Sequence, residues 1–498
     1  MKNTNNSEST YTFYDFETTG FNHCFDQVIQ AAFYTTDAHF NVIDQQVFHI
    51  QLRPDVIPAL GALLTHKVLP EALSEGMTEY EAFLHMHEIV NRPNSYTIGY
   101  NSLKFDDLFL RFGFYRNGLE PYTHQWKNNC QRLDLLSINV LYYLFDQNNP
   151  IEYPHKPDGT PTFKLDALIE ANALAEGMAH DAGVDVEATI ELARRLHQSN
   201  PQLWEYCLGY FHKPTDAGWS YARTTNPKEG QQEGFTLLVD FGLKHKIGYQ
   251  TPIYIQSVSK NEVYYLRLDN KELAKITPKN LVSKAKKLVK TKKNGEPGFI
   301  LPLSSWQADY VDSNQQALIA QNQEFVAENK ILIDQLFAQY QPPTYLPVEN
   351  LDVDAALYQD SFWTPNERIF FKRFRMHKTV AEKLDFITSS KHQTPRSVAL
   401  AQRVLFRNFT EDMLSLGHYA EFYQFIQVSI QPASAEVAID YRQRQKLIAT
   451  VFLAQADKVL SSGQWQNNTL TPEEVNLVKA WKKYVLIQLD PPPSRQVA

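Results

Sequence analysis

Three successive patterns predict an α/β domain, then a β-rich domain, then a helical one. Strand-like and helix-like runs alternate from about residue 10 to 200. Period-two alternation follows, clearest in Glu262-Val-Tyr-Tyr-Leu-Arg-Leu. Beyond the proline-marked stretch Gln341-Pro-Pro-Thr-Tyr-Leu-Pro347 the spacing of apolar residues becomes helical. A length of 498 residues supplies enough material for about three separate cores. The domain expectation is 10–200, 201–345 and 354–490.

In the first domain, Tyr11–Phe16, Gln27–Thr35, Val47–Leu52 and Tyr96–Tyr100 read as strands. Glu79–Val90 and Val184–Gln198 read as amphipathic helices. In the second, Gly234-Phe-Thr-Leu-Leu-Val-Asp and Pro252-Ile-Tyr-Ile-Gln-Ser-Val join the alternating segment as β-like. In the third, Asp354–Gln359, Glu367–Arg375, Val398–Phe406 and a long charged stretch, Glu436–Ala456, carry helical periodicity. The polar opening up to Thr10 is expected to be a disordered leader without the apolar core of a signal peptide, and Pro491–Ala498 a frayed tail.

A 43% apolar and 13% aromatic composition fits a globular protein, and no run of 18 apolar residues predicts a membrane span. Cys24, Cys130 and Cys207 are odd in number and lack metal-ligand spacing, which predicts a reducing cytoplasm and bystander thiols. The formal charge of −8 does not exclude nucleic acid, because a groove needs only local positive potential.

Chemistry concentrates in three segments. Tyr11-Thr-Phe-Tyr-Asp15-Phe-Glu17-Thr-Thr-Gly20 places two carboxylates two residues apart, hence on one face of a strand. Such a pair is costly unless a cation neutralises it, and hard oxygen ligands suit Mg²⁺ or Mn²⁺. Taken alone, the pair equally fits strand-end acids meeting solvent. Thr97-Ile-Gly-Tyr-Asn-Ser-Leu-Lys-Phe-Asp106-Asp107 runs from a short strand into an amphipathic segment, where Asp106 alone reads as a helix cap. Ala179-His180-Asp181-Ala-Gly-Val-Asp185 opens a helix, with Asp181 as its natural N-cap, Asp185 in the first turn and His180 on the entering loop. Chance would rarely supply all three in order.

Together these segments resemble the DEDDh exonucleases, in which His-x4-Asp closes the site. Gly99–Asp107, Asp158-Gly-Thr-Pro-Thr-Phe-Lys-Leu165 and Leu405-Phe-Arg-Asn-Phe409 resemble the bacterial exonuclease I family in particular. The resemblance implies a ribonuclease H-like exonuclease domain, an SH3-like β-rich domain and an all-helical C-terminal domain. It also implies a single-strand-specific 3′→5′ exodeoxyribonuclease of DNA repair and recombination, releasing 5′-mononucleotides. Asp15, Glu17, Asp106 and Asp185 would then hold two Mg²⁺ ions (Mn²⁺ being possible), with His180 as general base. Glu17 would also touch substrate. Lys164 aligns with a basic residue used on the nucleotide, keeping the charge without the fork of an arginine.

Arg111-Phe-Gly-Phe-Tyr-Arg116 and Tyr122-Thr-His-Gln-Trp126-Lys127 interleave rings with cations, as single-strand binding requires. Arg111, Tyr122 and Trp126 are the expected DNA contacts, while Phe112, Phe114 and Tyr115 also fit a helix core face. Lys275, Lys279, Lys284, Lys286, Lys287, Lys290, Lys292 and Lys293 form a basic run that is either a phosphate-tracking ridge or a solvated loop. The expected partners are single-stranded DNA and the acidic, apolar tail of single-stranded DNA-binding protein, with the chain a monomer. The alternatives are a DEDDh exoribonuclease, a non-catalytic nucleic-acid-binding protein with a relict site, or a hydrolase of small phosphoesters. Some 300 residues beyond the exonuclease domain count against the first. Five intact chemical residues count against the second, and the aromatic-basic segment against the third.

Overall fold

A computed structural model describes residues 9–177, 180–225, 233–243, 248–343, 346–360, 362–433 and 436–489. The expected leader before residue 9 and the tail Pro491–Ala498 lie outside the described residues, as do Thr344 and Tyr345 of the proline-marked stretch. The chain divides into two compact units: residues 1–130, 177–186 and 346–498 form one, and residues 131–176 and 187–345 the other.

In the first unit, strands β1 (Thr10–Thr18), β2 (Val28–Thr36), β3 (Val42–His49) and β4 (Ser95–Gly99) lie side by side in the order β3-β2-β1-β4. β1 pairs antiparallel with β2 and parallel with β4. The β1–β2 register places Asp15 opposite Ala32 and Glu17 opposite Gln30, then slips between Glu17 and Thr18. Such a bulge re-aims side chains, here directly after the second acid. β3 departs from the expected Val47–Leu52: it starts five residues earlier and ends at His49. Its outer position explains the misreading, because Val42 and Ile43 are apolar yet 46% and 60% exposed and break the alternation.

The helix Glu79–Val90 begins at a capping box in which Thr78 and Glu81 satisfy each other's backbone N–H groups. The helix Asp106–Arg116 buries Phe109, Phe112, Phe114 and Tyr115, so the three rings between Arg111 and Arg116 all serve the core. Phe112 and Tyr115 pack with Trp363, Phe370, Phe371 and Phe374 of the C-terminal segment, and the Trp363 indole N–H donates to the Leu119 carbonyl at 2.8 Å.

C-terminal helices at Pro365–Met376 and Pro395–Asn408 agree with expectation, and a two-stranded ribbon joins Gln464–Trp465 to Asn468–Thr469. Val353–Tyr358 winds as a tighter 3-10 turn. The expected helix over Glu436–Ala456 is half right, because helix begins only at Ala449. Ahead of it the Asp440 carboxylate accepts the backbone N–H groups of Arg442 and Arg444, and Ile439 bridges Gln445. Asp440 therefore offers the backbone a turn in place of helical hydrogen bonds.

The second unit contains a five-stranded antiparallel sheet in the order Phe299–Pro302, Phe235–Val239, Gln250–Val258, Glu262–Arg267, Val289–Lys293. Leu266, Leu268, Ala285, Leu288 and Ile319 form its core with neighbouring helices. Part of the basic run is already paired. Lys275 and Lys284 contact Glu272, and Lys292 is buried against Asp216. All three cysteines are free and buried. Among the described residues, no helix is long and apolar enough to cross a membrane.

Candidate active site

The acid cluster is assembled from four points of the first unit. β1 supplies Asp15 and Glu17 from one face of the central strand. Asp106 opens its helix after the Asn101 turn, where the backbone enters the left-handed region (φ 60°). Asp185 lies in the first turn of the helix Ala182–Ser199. That helix starts where it does because Asp181 accepts the N–H groups of Gly183 and Val184, as the sequence predicts, while its other oxygen takes the Gln30 amide at 3.0 Å. His180 precedes this cap, exposed and with φ 67°.

These carboxylates converge closely enough to sense one another. Glu17 is 9% exposed and Asp106 5%. Burial, then the charges of Asp185, Asp106 and Asp181, pushes Glu17 up to about 9. Asp15 is raised well above the usual carboxylate range, first by burial and then by Asp106, Glu17 and Asp185. The charges that act most on both carboxyls are those of other carboxylates. Ligand atoms of Glu17, His180 and Asp185 lie within 4.8 Å of one another, a group that could hold a metal ion. Buried oxygens of one sign fit a hard divalent cation, which would relieve the repulsion that raises them.

The expected DNA contacts are differently placed. Arg111 is mostly buried, ion-paired with Asp107 and donating to the Tyr358 hydroxyl at 3.0 Å. Its guanidinium lies 5.3 Å from the Tyr122 ring centre. Trp126 is 68% exposed. Lys164, in the second unit, is exposed at the start of the helix Leu165–Asn172. Phe21, which follows Gly20 in the turn after the first two acids, also exposes its ring.

Residues 12–193 match the RNase_T family model, described as an exonuclease. The chain carries an RNase_T-family exonuclease domain. Exodeoxyribonuclease I of Escherichia coli is 35% identical over 215 residues, 43% of this chain and 45% of that protein. Its counterpart from Buchnera aphidicola of Schizaphis graminum is 36% identical over 209 residues, 42% of this chain and 43% of that one. The matched stretch thus spans less than half the length of these curated relatives. In fold the agreement is wider. E. coli Exonuclease I in complex with a dT13 oligonucleotide superposes with a TM-score of 0.79 at 22% identity, covering 97% of this chain and all of that one. A structure of SSB/Exonuclease I with an inhibitor gives 0.75 at 22% identity and the same coverage. The exonuclease domain thus contributes the acid cluster, and the whole chain has the exonuclease I fold, in agreement with the resemblance read from the sequence.

Proposed function

We propose that the chain is a metal-dependent, single-strand-specific 3′→5′ exodeoxyribonuclease that releases 5′-mononucleotides and acts in DNA repair and recombination. The observation that carries this reading is the convergence of Asp15 and Glu17 with Asp106 and Asp185, whose charges raise the first two carboxyls. Asp15, Glu17, Asp106 and Asp185 would hold two Mg²⁺ ions. When bound, such ions neutralise charge developing at a phosphodiester and acidify water near it. Glu17 orients the terminal nucleotide as well as sharing in this site. His180, exposed on the loop that enters the site, takes the proton of the attacking water. As His180 takes that proton, the water oxygen bonds to the terminal phosphorus and the bond from phosphorus to the 3′ oxygen breaks, freeing a 5′-mononucleotide. The leaving 3′ oxygen takes a proton from solvent to become the new 3′ hydroxyl.

Supporting the choice of substrate are the curated relatives, both exodeoxyribonucleases I, and the superposed oligonucleotide complex. Trp126 presents its ring for stacking on a base, Arg111 fixes Tyr122 beneath the strand, and Lys164 meets a phosphate. The SSB/Exonuclease I structure supports the tail of single-stranded DNA-binding protein as a partner. The reading further holds the chain to be a cytoplasmic monomer with domains at 10–200, 201–345 and 354–490. Limited proteolysis tests those boundaries.

The deciding experiment is Mg²⁺-dependent digestion of 3′- and 5′-labelled single-stranded and duplex DNA and RNA, alongside Asp15→Ala. Mononucleotides released from the 3′ end of single-stranded DNA, and absent with the variant, are expected. Preference for RNA would transfer the same site to an exoribonuclease, and tight binding without cleavage would overturn catalysis.

A further inference from the structure

Strand β2 is buried along its whole length, and Gln30 carries the one amide side chain within it. A buried amide is costly unless it is hydrogen-bonded, and Gln30, 5% exposed, uses both ends of its amide on one target. Its Nε2 donates to an Asp181 carboxylate oxygen at 3.0 Å, and its Oε1 accepts the Ala182 N–H at 3.4 Å. The other Asp181 oxygen accepts the N–H groups of Gly183 and Val184 at 3.0 and 3.3 Å. The Asp181 carbonyl then accepts the N–H of Asp185 at 3.0 Å. The opening donors of the helix Ala182–Ser199 are thereby occupied, and a side chain of the sheet holds both the cap and the first of them.

This grip lies directly beside the acids. Gln30 faces Glu17 across the β1–β2 register and Ala32 faces Asp15, so all four side chains share one face of the sheet. Gln30 reaches the helix, while the small Ala32 leaves room over Asp15. Further along that face, the Tyr34 hydroxyl accepts from Gln45 at 2.6 Å and would stand 3.3 Å from a β-carbon at Gly183. The helix start is therefore seated on β2 at two points. The residues that close the candidate active site bracket this seat: His180 precedes Asp181 with φ 67°, and Asp185 follows in the first turn. Asp181 is itself close enough for its charge to raise Asp15 and Glu17. Both its oxygens are committed to N–H donors, which leaves Asp185 to meet Glu17. Packing alone asks for an apolar side chain at position 30; the amide gives the sheet a directional hold on the cap.

We propose that Gln30 is a positioning residue for the reaction: by clamping Asp181 and the first N–H of its helix, it fixes where His180 and Asp185 stand relative to Asp15 and Glu17. The proposal rests on the exonuclease reading and adds to it the residue that joins the two halves of the site. Gln30 acts through Asp181, and supporting residues of this kind typically change metal affinity or activity by about 10- to 100-fold when lost.

The test exchanges the hydrogen-bonding partners in the full chain. Gln30→Glu sets two carboxylates against each other, and Asp181→Asn sets two amides against each other. Combined, they restore every bond: the carboxylate at position 30 accepts from the amide at position 181 and from the Ala182 N–H, while the amide oxygen keeps Gly183 and Val184. On 3′-labelled single-stranded DNA with saturating Mg²⁺, each single variant should lower kcat by roughly 10- to 100-fold with KM little changed, and the double variant should recover most of that loss. Gln30→Met, which keeps the shape without the bonds, should lose kcat as Gln30→Glu does. Calorimetric titration of the metal-free proteins with Mn²⁺ should show the same pattern, with binding roughly tenfold weaker in the single variants. A double variant no better than the product of the single losses overturns the positioning role and leaves the exonuclease reading intact. So does a Gln30→Met protein whose thermal midpoint in chelator falls while kcat and Mn²⁺ affinity stay parental, which would assign Gln30 to stability alone. A parent chain that digests no single strand removes the exonuclease reading instead, and the Mn²⁺ titrations then still decide whether Gln30 orders the site.

Discussion

Two groups of buried carboxylates in the first unit answer burial in opposite directions. At the candidate active site, Asp15 and Glu17 are raised by burial and by each other's neighbours. Where the C-terminal segment meets the turn after β3 and the helix Glu79–Val90, Asp55, Glu79 and Asp354 are buried as deeply, yet each is lowered. Burial alone would raise these three as well. What outweighs it is a set of arginines. Arg407 reaches Asp55 at 2.7 Å and Asp354 at 3.1 Å, Arg53 reaches Glu79 at 3.0 Å, and Arg116 reaches Glu79 at 3.1 Å. The contrast teaches what each cluster is for. The compensated one is complete within the chain and ties distant segments together. The other gathers carboxylates whose mutual repulsion a divalent cation can relieve.

Removing a charge from each cluster should separate them most sharply. Asp15→Asn is expected to lower nuclease turnover by at least about 10²–10³-fold, judged by the loss when one transition-state contact is removed. The same variant should raise the thermal midpoint of the metal-free protein, since an amide is buried there without the proton uptake that a raised carboxyl requires. A lowered midpoint in chelator would show that Asp15 is held by contacts other than like charges.

Arg407→Met should do the reverse, sparing the chemistry and weakening the fold. It strands Asp55 and Asp354 beneath protein, and breaking a buried pair typically costs about 3–5 kcal/mol. Urea titration followed by fluorescence gives the measure, read on whichever transition the substitution moves because the chain forms two units. A loss below about 1 kcal/mol would mean that water reaches the stranded acids.

The pH dependence of stability should also carry opposite signs. Glu17 has a folded pKa of about 9 against an ordinary 4.5, so the metal-free fold keeps a proton that the unfolded chain has already lost. Its contribution therefore declines as pH rises from about 4.5 through 9, and saturating Mg²⁺ should flatten that decline. Asp55, Glu79 and Asp354 are depressed, so their contribution is present above the ordinary carboxylate range and is lost on acidification. Thermal midpoints across pH 3–9, with chelator and with Mg²⁺, distinguish the two limbs. A chelator curve flat from pH 6 to 9 would contradict the assignment of Glu17.

The two clusters also differ in how far they could be read from sequence. The acid site was legible because its geometry is local: a two-residue step in a strand, an acid opening a helix, and a histidine before a capped first turn. Its convergence needed only the order of those pieces. The arginine cluster was not legible, since Arg407 and Asp55 are 352 positions apart and neither belongs to a local pattern. Local chemistry also explains the misread helix over 436–456: hydrophobic spacing favoured continuation, and one carboxylate at Asp440 diverted the backbone. The starts of the C-terminal helices were better marked than the expectation used. Thr364-Pro-Asn-Glu367 and Thr379-Val-Ala-Glu382 are capping boxes in plain sequence, and both form.

Glu367 offers the finest test, because it belongs to neither cluster yet obeys the rule of the second. It closes the Thr364 capping box, accepts from Thr394 at 2.8 Å and pairs with Arg396 at 2.6 Å. Burial raises its carboxyl, and these donors more than reverse that, bringing it down to about 2. Its contribution should therefore be constant above pH 4.5 and disappear as pH falls toward 2. Glu367→Gln keeps the shape and a weaker acceptor, so the expected cost at neutral pH is about 1 kcal/mol, in the range of a lost cap. That difference should vanish as pH falls through about 2, below which the parent residue is itself protonated. A cost that persists there would assign Glu367 to packing, and compensation by buried donors would then be confined to the arginine cluster.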